Sequence, residues 1–149
     1  MAFEEILKLV PQKDPFRFIE EILELDENHI VGKYTFKPDE YFYQGHFPGD
    51  PVTPGVVLIE TMAQTGVVAF GLYLTSKISR PEELPQWTTF FTDCKIDFYL
   101  PVLPGETVIV RGKKVYFRKM KLQTNVQLFS KNNELIAEGV VSGMGVKRG

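Results

Sequence analysis

Cysteine is nearly absent. The single Cys94 in 149 residues rules out an internal disulfide framework and fits a reducing compartment. Histidine is almost as scarce, with only His29 and His46. Two histidines and one cysteine far apart in the chain make no zinc set. Charge of one sign is lacking as well. Seventeen Lys and Arg face nineteen Asp and Glu, a net charge of -2, so nothing pulls the whole chain toward nucleic acid. The opening "MAFEEILKLV" carries acids where a secretory signal needs bases. A soluble, cytoplasmic protein is expected. No repeat, linker, Gly-rich nucleotide loop or G-x-S-x-G nucleophile motif interrupts the chain. One domain over residues 1–149 is expected.

What is present is apolar and aromatic. Hydrophobic residues make up 44% and charged residues 24%, with twelve Phe, six Tyr and one Trp. That mix suits a soluble domain with a large apolar interior, or one with room for an apolar guest. "FEEILKL" has apolar residues at helical spacing and Pro11 ends that short helix. Segments 16–26 and 29–37 read as extended, with the turn "DENH" between them. Residues 38–55 are a Pro- and Gly-rich loop. A long helix over about 55–75 follows, with Thr53 as a candidate N-cap and Pro54 suited to its first position. Its apolar residues cover nearly every face, so other structure should wrap it, and it reads as a buried helix and not a membrane span. "TSKISRPEELPQ" reads as a polar surface loop. Strand-like segments at 87–99, 106–118, 121–131 and 134–146 complete the chain, with "LPGE" and "KNNE" as turns. The pattern implies an α+β fold: a curved antiparallel sheet around one central helix. A three-layer arrangement would need more helices.

Two residues break the ordinary rules. Glu60 lies inside the apolar helix, where an unpaired carboxylate costs several kcal/mol. Desolvation should raise its pKa, as it does for catalytic acids held protonated near neutrality. A wet helix edge or a structural hydrogen bond would account for it equally well. His46 sits in "GHFPG", a constrained path that permits close approach. Histidine is the natural general base near neutral pH, although a lone loop histidine often has no task. His29, in its turn, is given none. Gly55 adds a third group. As a first-turn residue its N–H has no helical partner, and with the helix dipole it would stabilise an oxyanion. "TPG" is also common turn chemistry. A base, a neutral acid and an oxyanion donor together suit removal of a proton alpha to a thioester carbonyl, with hydroxide leaving as water.

The run "GHFPGDPVTPGVVLIETMAQ" resembles the hotdog-fold (3R)-hydroxyacyl-acyl carrier protein dehydratases. The spacing carries the likeness: Gly55 nine residues after His46, and Glu60 fourteen after it. A weaker likeness extends from "DPFRFIEEILELDEN" through "FYLPVLPGE" to "AEGVVSGM". The resemblance implies His46 as base and Glu60 as acid, supplied by opposite subunits of a dimer that is often part of a trimer of dimers. It implies the Gly55 amide as donor to the thioester carbonyl. It also implies no metal and no cofactor, the substrate riding on the 4'-phosphopantetheine of acyl carrier protein. An acyl tunnel at the subunit interface is implied too, with Phe47, Val56, Ala63, Phe90, Phe91 and Tyr99 as candidate lining. The aromatic ones serve equally as ordinary core.

Glutamate at 60 favours the simple dehydratase branch. "GDPV" is how the sister branch often reads, a dehydratase that also isomerises the double bond. A non-catalytic subunit that binds acyl thioesters, and a thioesterase, are further alternatives on the same fold. The sequence departs from the family in three places, one of them a longer loop at 75–86. "PQKDPF" stands where "PHR-x-PF" is typical, and "DFYLP" where a basic run is usual. That loss takes away the usual carrier-docking residues. Arg111, Lys113, Lys114, Arg118, Lys119 and Lys121 on one expected hairpin are a candidate substitute.

Overall fold

The computed structural model describes residues 1–148. Helix α1 (Phe3–Leu9) is followed by strands β1 (Glu21–Leu25) and β2 (His29–Thr35), then helix α2 (Gly55–Ser76). Strands β3 (Trp87–Phe98), β4 (Thr107–Arg118), β5 (Lys121–Ser130) and β6 (Leu135–Lys147) complete the chain. All six strands form one antiparallel sheet in the order β1-β2-β4-β5-β6-β3. The expected α+β class holds: the sheet curls around α2, and this arrangement of one sheet and one wrapped helix is the hotdog fold.

α2 is buried because its sequence leaves it no polar face. Every residue from Thr61 to Leu72 is buried. Its length and mean hydropathy of 1.5 match a membrane span, yet 78% of its most apolar window is buried inside the protein. Its middle, Gln64–Ala69, is a π turn. There the sheet comes so close that only glycine fits. A Cβ on Gly66 would meet Val126 Cγ1 at 2.8 Å, and one on Gly112 of β4 would meet Thr124 Cγ2 at 3.0 Å. Phe18, Tyr34, Phe36 and Phe42 form an aromatic cluster with ring centroids 5.0–6.4 Å apart, edge-to-face except for the tilted Phe18–Phe36 pair.

Four expectations need correction. The first strand starts at Glu21 and not at 16: Phe18 and Ile19 are buried, but the Phe18 N–H goes to the Gln64 side chain and not to a neighbouring strand. Thr53 does not cap α2. The N-cap is Pro54, without a side-chain bond, and the Thr53 hydroxyl pairs with Tyr43 at 2.6 Å instead. The loop before α2 contains a 3₁₀ turn at Tyr41–Gln44, and the surface loop after it contains another at Pro81–Gln86 that buries Leu84. His29 is not idle either. It opens β2 and lies 2.9 Å from Glu24 and 3.0 Å from Asp26, carboxylates that raise its pKa.

Candidate active site

The loop carrying His46 is closed by its own backbone. Phe47-Pro48-Gly49-Asp50 forms a tight turn, with the Asp50 N–H on the Phe47 carbonyl at 2.9 Å. Gly49 has φ +77°, which the third position of a Pro-Gly turn requires. The His46 N–H donates to Phe42 O, and the Val52 N–H returns to His46 O at 2.9 Å. Thr53 then ties the loop to the far side of the site, its N–H 2.8 Å from the Val102 carbonyl. The buried Tyr43–Thr53 hydroxyl pair crosses the base of the loop.

This frame fixes the histidine's tautomer. His46 Nδ1 lies 2.9 Å from Val52 O. A carbonyl only accepts, so Nδ1 carries the proton and donates. In the neutral ring the lone pair is therefore on Nε2, which faces away from the loop's own backbone bond. The Phe47 ring stacks on the imidazole, centroids 4.2 Å apart.

Glu60 projects from the second turn of α2 and is half-buried. Burial raises its pKa, and a hydrogen bond from Gln64 opposes that shift. The Gln64 amide donates to Glu60 Oε2 at 2.9 Å. Gly55 is the first residue of α2, and no acceptor in this chain takes its N–H among the described residues. The Phe98 ring of β3 stands where a Cβ on Gly55 would meet it at 3.4 Å. Beside it is a hollow of about 290 Å³, with Thr53, Leu58, Tyr99 and Pro101 in its walls. A larger hollow of about 480 Å³ lies elsewhere on the sheet, lined by His29, Arg111, Lys113 and Asn125. It holds none of the three site residues.

The candidate tunnel residues divide. Ala63 is buried at 2% exposure. Phe47, Val56, Phe90, Phe91 and Tyr99 are exposed, between 41% and 73%. In one protomer they are exposed apolar side chains and not core. Nor does any hydrogen bond or ion pair join His46 to Glu60 among the described residues. No group of three or more His, Cys, Asp or Glu gathers as metal ligands would among those residues. Sequence reasoning gave Gln64 no role. The signal was available: a second polar residue in the same apolar helix, one turn after Glu60 at i+4.

The sequence model of FabA-like domains matches residues 10–141. The 3-hydroxyacyl-[acyl-carrier-protein] dehydratase FabZ of Syntrophobacter fumaroxidans is 36% identical over 139 residues, covering 93% of this chain and 89% of that protein. The bifunctional enzyme LpxC/FabZ of Bacteroides thetaiotaomicron is 38% identical over 114 residues, 74% of this chain. The match spans only 23% of that longer relative. Among solved structures, the dehydratase heterocomplex ApeI:P of Xenorhabdus doucetiae superposes with a TM-score of 0.78 at 12% identity, covering 95% of this chain and 91% of that one. A Haemophilus influenzae thioesterase superposes with a TM-score of 0.68 at 16% identity, covering 99% and 92%. Both share the fold. The chain is a hotdog-fold protein, and it belongs to the FabA-like family.

Proposed function

We propose that this protein dehydrates (3R)-hydroxyacyl thioesters, carried on acyl carrier protein, to trans-2-enoyl thioesters in fatty acid biosynthesis. The observation that carries the reading is the pairing of a tautomer-fixed histidine with a carboxyl that burial holds toward its neutral form, both in a chain of this family. His46 Nε2 takes the proton from C2. The electron pair moves toward the thioester carbonyl, and the Gly55 N–H and the N-terminus of α2 stabilise the enolate oxygen. The C3–O bond then breaks, and Glu60 gives its proton to the departing hydroxide, which leaves as water. The net change is loss of one water. Acid and base suffice, so no cofactor is assigned beyond the carrier's 4'-phosphopantetheine. The exposed side chains of Phe90, Phe91, Val56 and Tyr99 would become a covered acyl channel once a second copy packs on β3. That makes a homodimer the functional unit, with a trimer of dimers as the larger assembly.

The test is hydration of a crotonyl thioester, followed by loss of the enoyl absorbance, on both carrier and coenzyme A forms. Wild type should turn over. His46→Ala and Glu60→Gln should each lose about 10²–10⁴-fold while remaining folded. Release of free thiol would mark a thioesterase. With a trans-2-enoyl thioester longer than crotonyl, a cis-3-enoyl product would mark the dehydratase-isomerase alternative.

A further inference from the structure

Thr53 does not do what its position suggests. A threonine two residues before an open N–H is placed to accept it, as an N-cap or in an ST turn. The open N–H here is that of Gly55. Pro54 has no N–H, and its carbonyl takes the N–H groups of Val57 and Leu58. The Gly55 and Val56 N–H groups are left without an acceptor among the described residues. The Thr53 hydroxyl lies instead 2.6 Å from that of Tyr43. Both residues are buried. The Thr53 backbone is fixed: its N–H is on the Val102 carbonyl at 2.8 Å, and the following proline keeps it extended. Only χ1 can re-aim the hydroxyl, among a few staggered wells. Tyr43 is held as well. It lies in the 3₁₀ turn Tyr41–Gln44 with its ring edge-to-face on Phe42, centroids 4.7 Å apart. Burial raises its pKa, so it stays a neutral hydroxyl that can both donate and accept.

We propose that Tyr43 is a positioning residue of the oxyanion site: it holds the Thr53 hydroxyl away from the start of α2 and so keeps the Gly55 N–H free for the thioester carbonyl. The inference rests on the dehydration reading above. A helix start offers its first N–H groups to whatever acceptor is within reach. Residue 53 is always present there, whereas substrate is not. Thr53 and Gly55 line the same hollow of about 290 Å³. A carbonyl bound in it and a hydroxyl turned toward Gly55 would compete for one donor. The bond to Tyr43 removes that competitor. It also spans the loop from the base to the oxyanion donor, since Tyr43 stands three residues before His46 and Thr53 two before Gly55.

The alternative is that the pair only satisfies two buried hydroxyls. Amide hydrogen exchange at Gly55, followed by NMR, separates the two roles. In Tyr43→Phe the released Thr53 hydroxyl should turn to the Gly55 N–H and slow its exchange about tenfold. The kcat for crotonyl hydration should fall by about 10²-fold with KM little changed, as for the loss of one oxyanion donor. Adding Thr53→Val to Tyr43→Phe takes the competing hydroxyl away, so both effects should reverse. Gly55 exchange that matches wild type in folded Tyr43→Phe overturns the proposal, whatever the activity does. So does protection that persists in the double variant. If Tyr43→Phe does not fold, Thr53→Asp keeps one oxygen for Tyr43 and sets a second beside Gly55. Protection of the Gly55 amide is then expected, and unchanged exchange overturns the proposal. A wild type without hydration but with the exchange pattern intact would sink the dehydration reading and leave the role of Tyr43 standing.

Discussion

At the scale of single residues, Glu60 carries a cost that the rest of the helix does not explain. Burial raises its pKa above the ordinary 4.5, so the folded protein holds this proton more tightly than the unfolded chain does. Below pH 4.5 both states are protonated and the residue is neutral to stability. As pH rises from 4.5 through the raised folded value, the unfolded chain ionises first, and stability falls across that window. Glutamine cannot ionise and should not show the fall. Glu60→Gln is therefore expected to be more stable than wild type at pH 8 and to lose most of that advantage at pH 4.5. Urea unfolding at both values checks this, and an equal difference at the two would count against a buried, proton-holding Glu60. The same pKa direction sets the activity. On the proposed mechanism dehydration needs Glu60 protonated, so its rate should decline as pH rises past the folded value. His46, Glu60 and Gly55 stand out in the sequence as candidates because each breaks a local rule of polarity or backbone freedom. Gln64 was not assigned, because its partners Phe16 and Phe18 lie 48 and 46 residues away. Only folding brings an amide to those carbonyl and N–H groups.

Among the elements, the strands were legible to within a residue or two. Turn residues at "LPGE" and "KNNE" bound them, and alternation marks β4 and β5, buried at Val108, Val110 and Gly112 and at Leu122, Thr124, Val126 and Leu128. β1 was overextended for a physical reason: apolar Phe18 and Ile19 face the core, but the Phe18 backbone pairs with a side chain and not with a strand. The π turn was illegible, since nothing in "QTGVVA" departs from a helical pattern. Its closeness to the sheet gives it a measurable signature. Gly66 packs where Val126 would clash with any Cβ at 2.8 Å, while Thr124 Oγ1 donates to the Gly66 carbonyl at 2.8 Å. Gly66→Ala must push α2 off β5 or distort that bond, and such overpacking costs about 1–3 kcal/mol. For a chain of this size each kcal/mol lowers Tm by about 2–4 °C. A thermal melt showing no loss for Gly66→Ala would mean the helix has more clearance than this packing allows.

On the scale of the whole molecule, two facts point beyond one protomer. Among the described residues β3 is an edge strand paired with β6 alone, and its Phe90, Phe91 and Phe98 are 41–50% exposed. An open edge of this kind invites another strand. The second fact is an end-to-end separation. Phe98 lies against Gly55 at the start of α2, and Thr89 lies against Gly71 near its end, about 24 Å further along at the helical rise. The β4–β5 turn, with Lys119 and Met120, sits at that far end, where Met120 closes over Gly145 and lines a small pocket together with Gly71. Arg118, Lys119 and Lys121 are thus remote from their own His46 and Gly55. Pairing two β3 edges antiparallel across a twofold axis reverses this. It sets the Phe98 end of one protomer beside the Trp87 end of its partner, and so brings each basic turn toward the other copy's site. We propose that a dimer's site draws His46 from one copy and Glu60 from the other, since the two share no bond within a protomer among the described residues. Mixing inactive subunits decides whether it does. His46→Ala and Glu60→Gln proteins, unfolded together and refolded in equal amounts, form mixed dimers in half the population. If each site draws its base and its acid from different copies, a mixed dimer has one site with both groups and one with neither. Crotonyl hydration should then return to roughly a quarter of the wild-type rate. If both groups act within one copy, every site in the mixture lacks one of them. The rate then stays at the level of the separate variants, and the twofold assignment of the site fails.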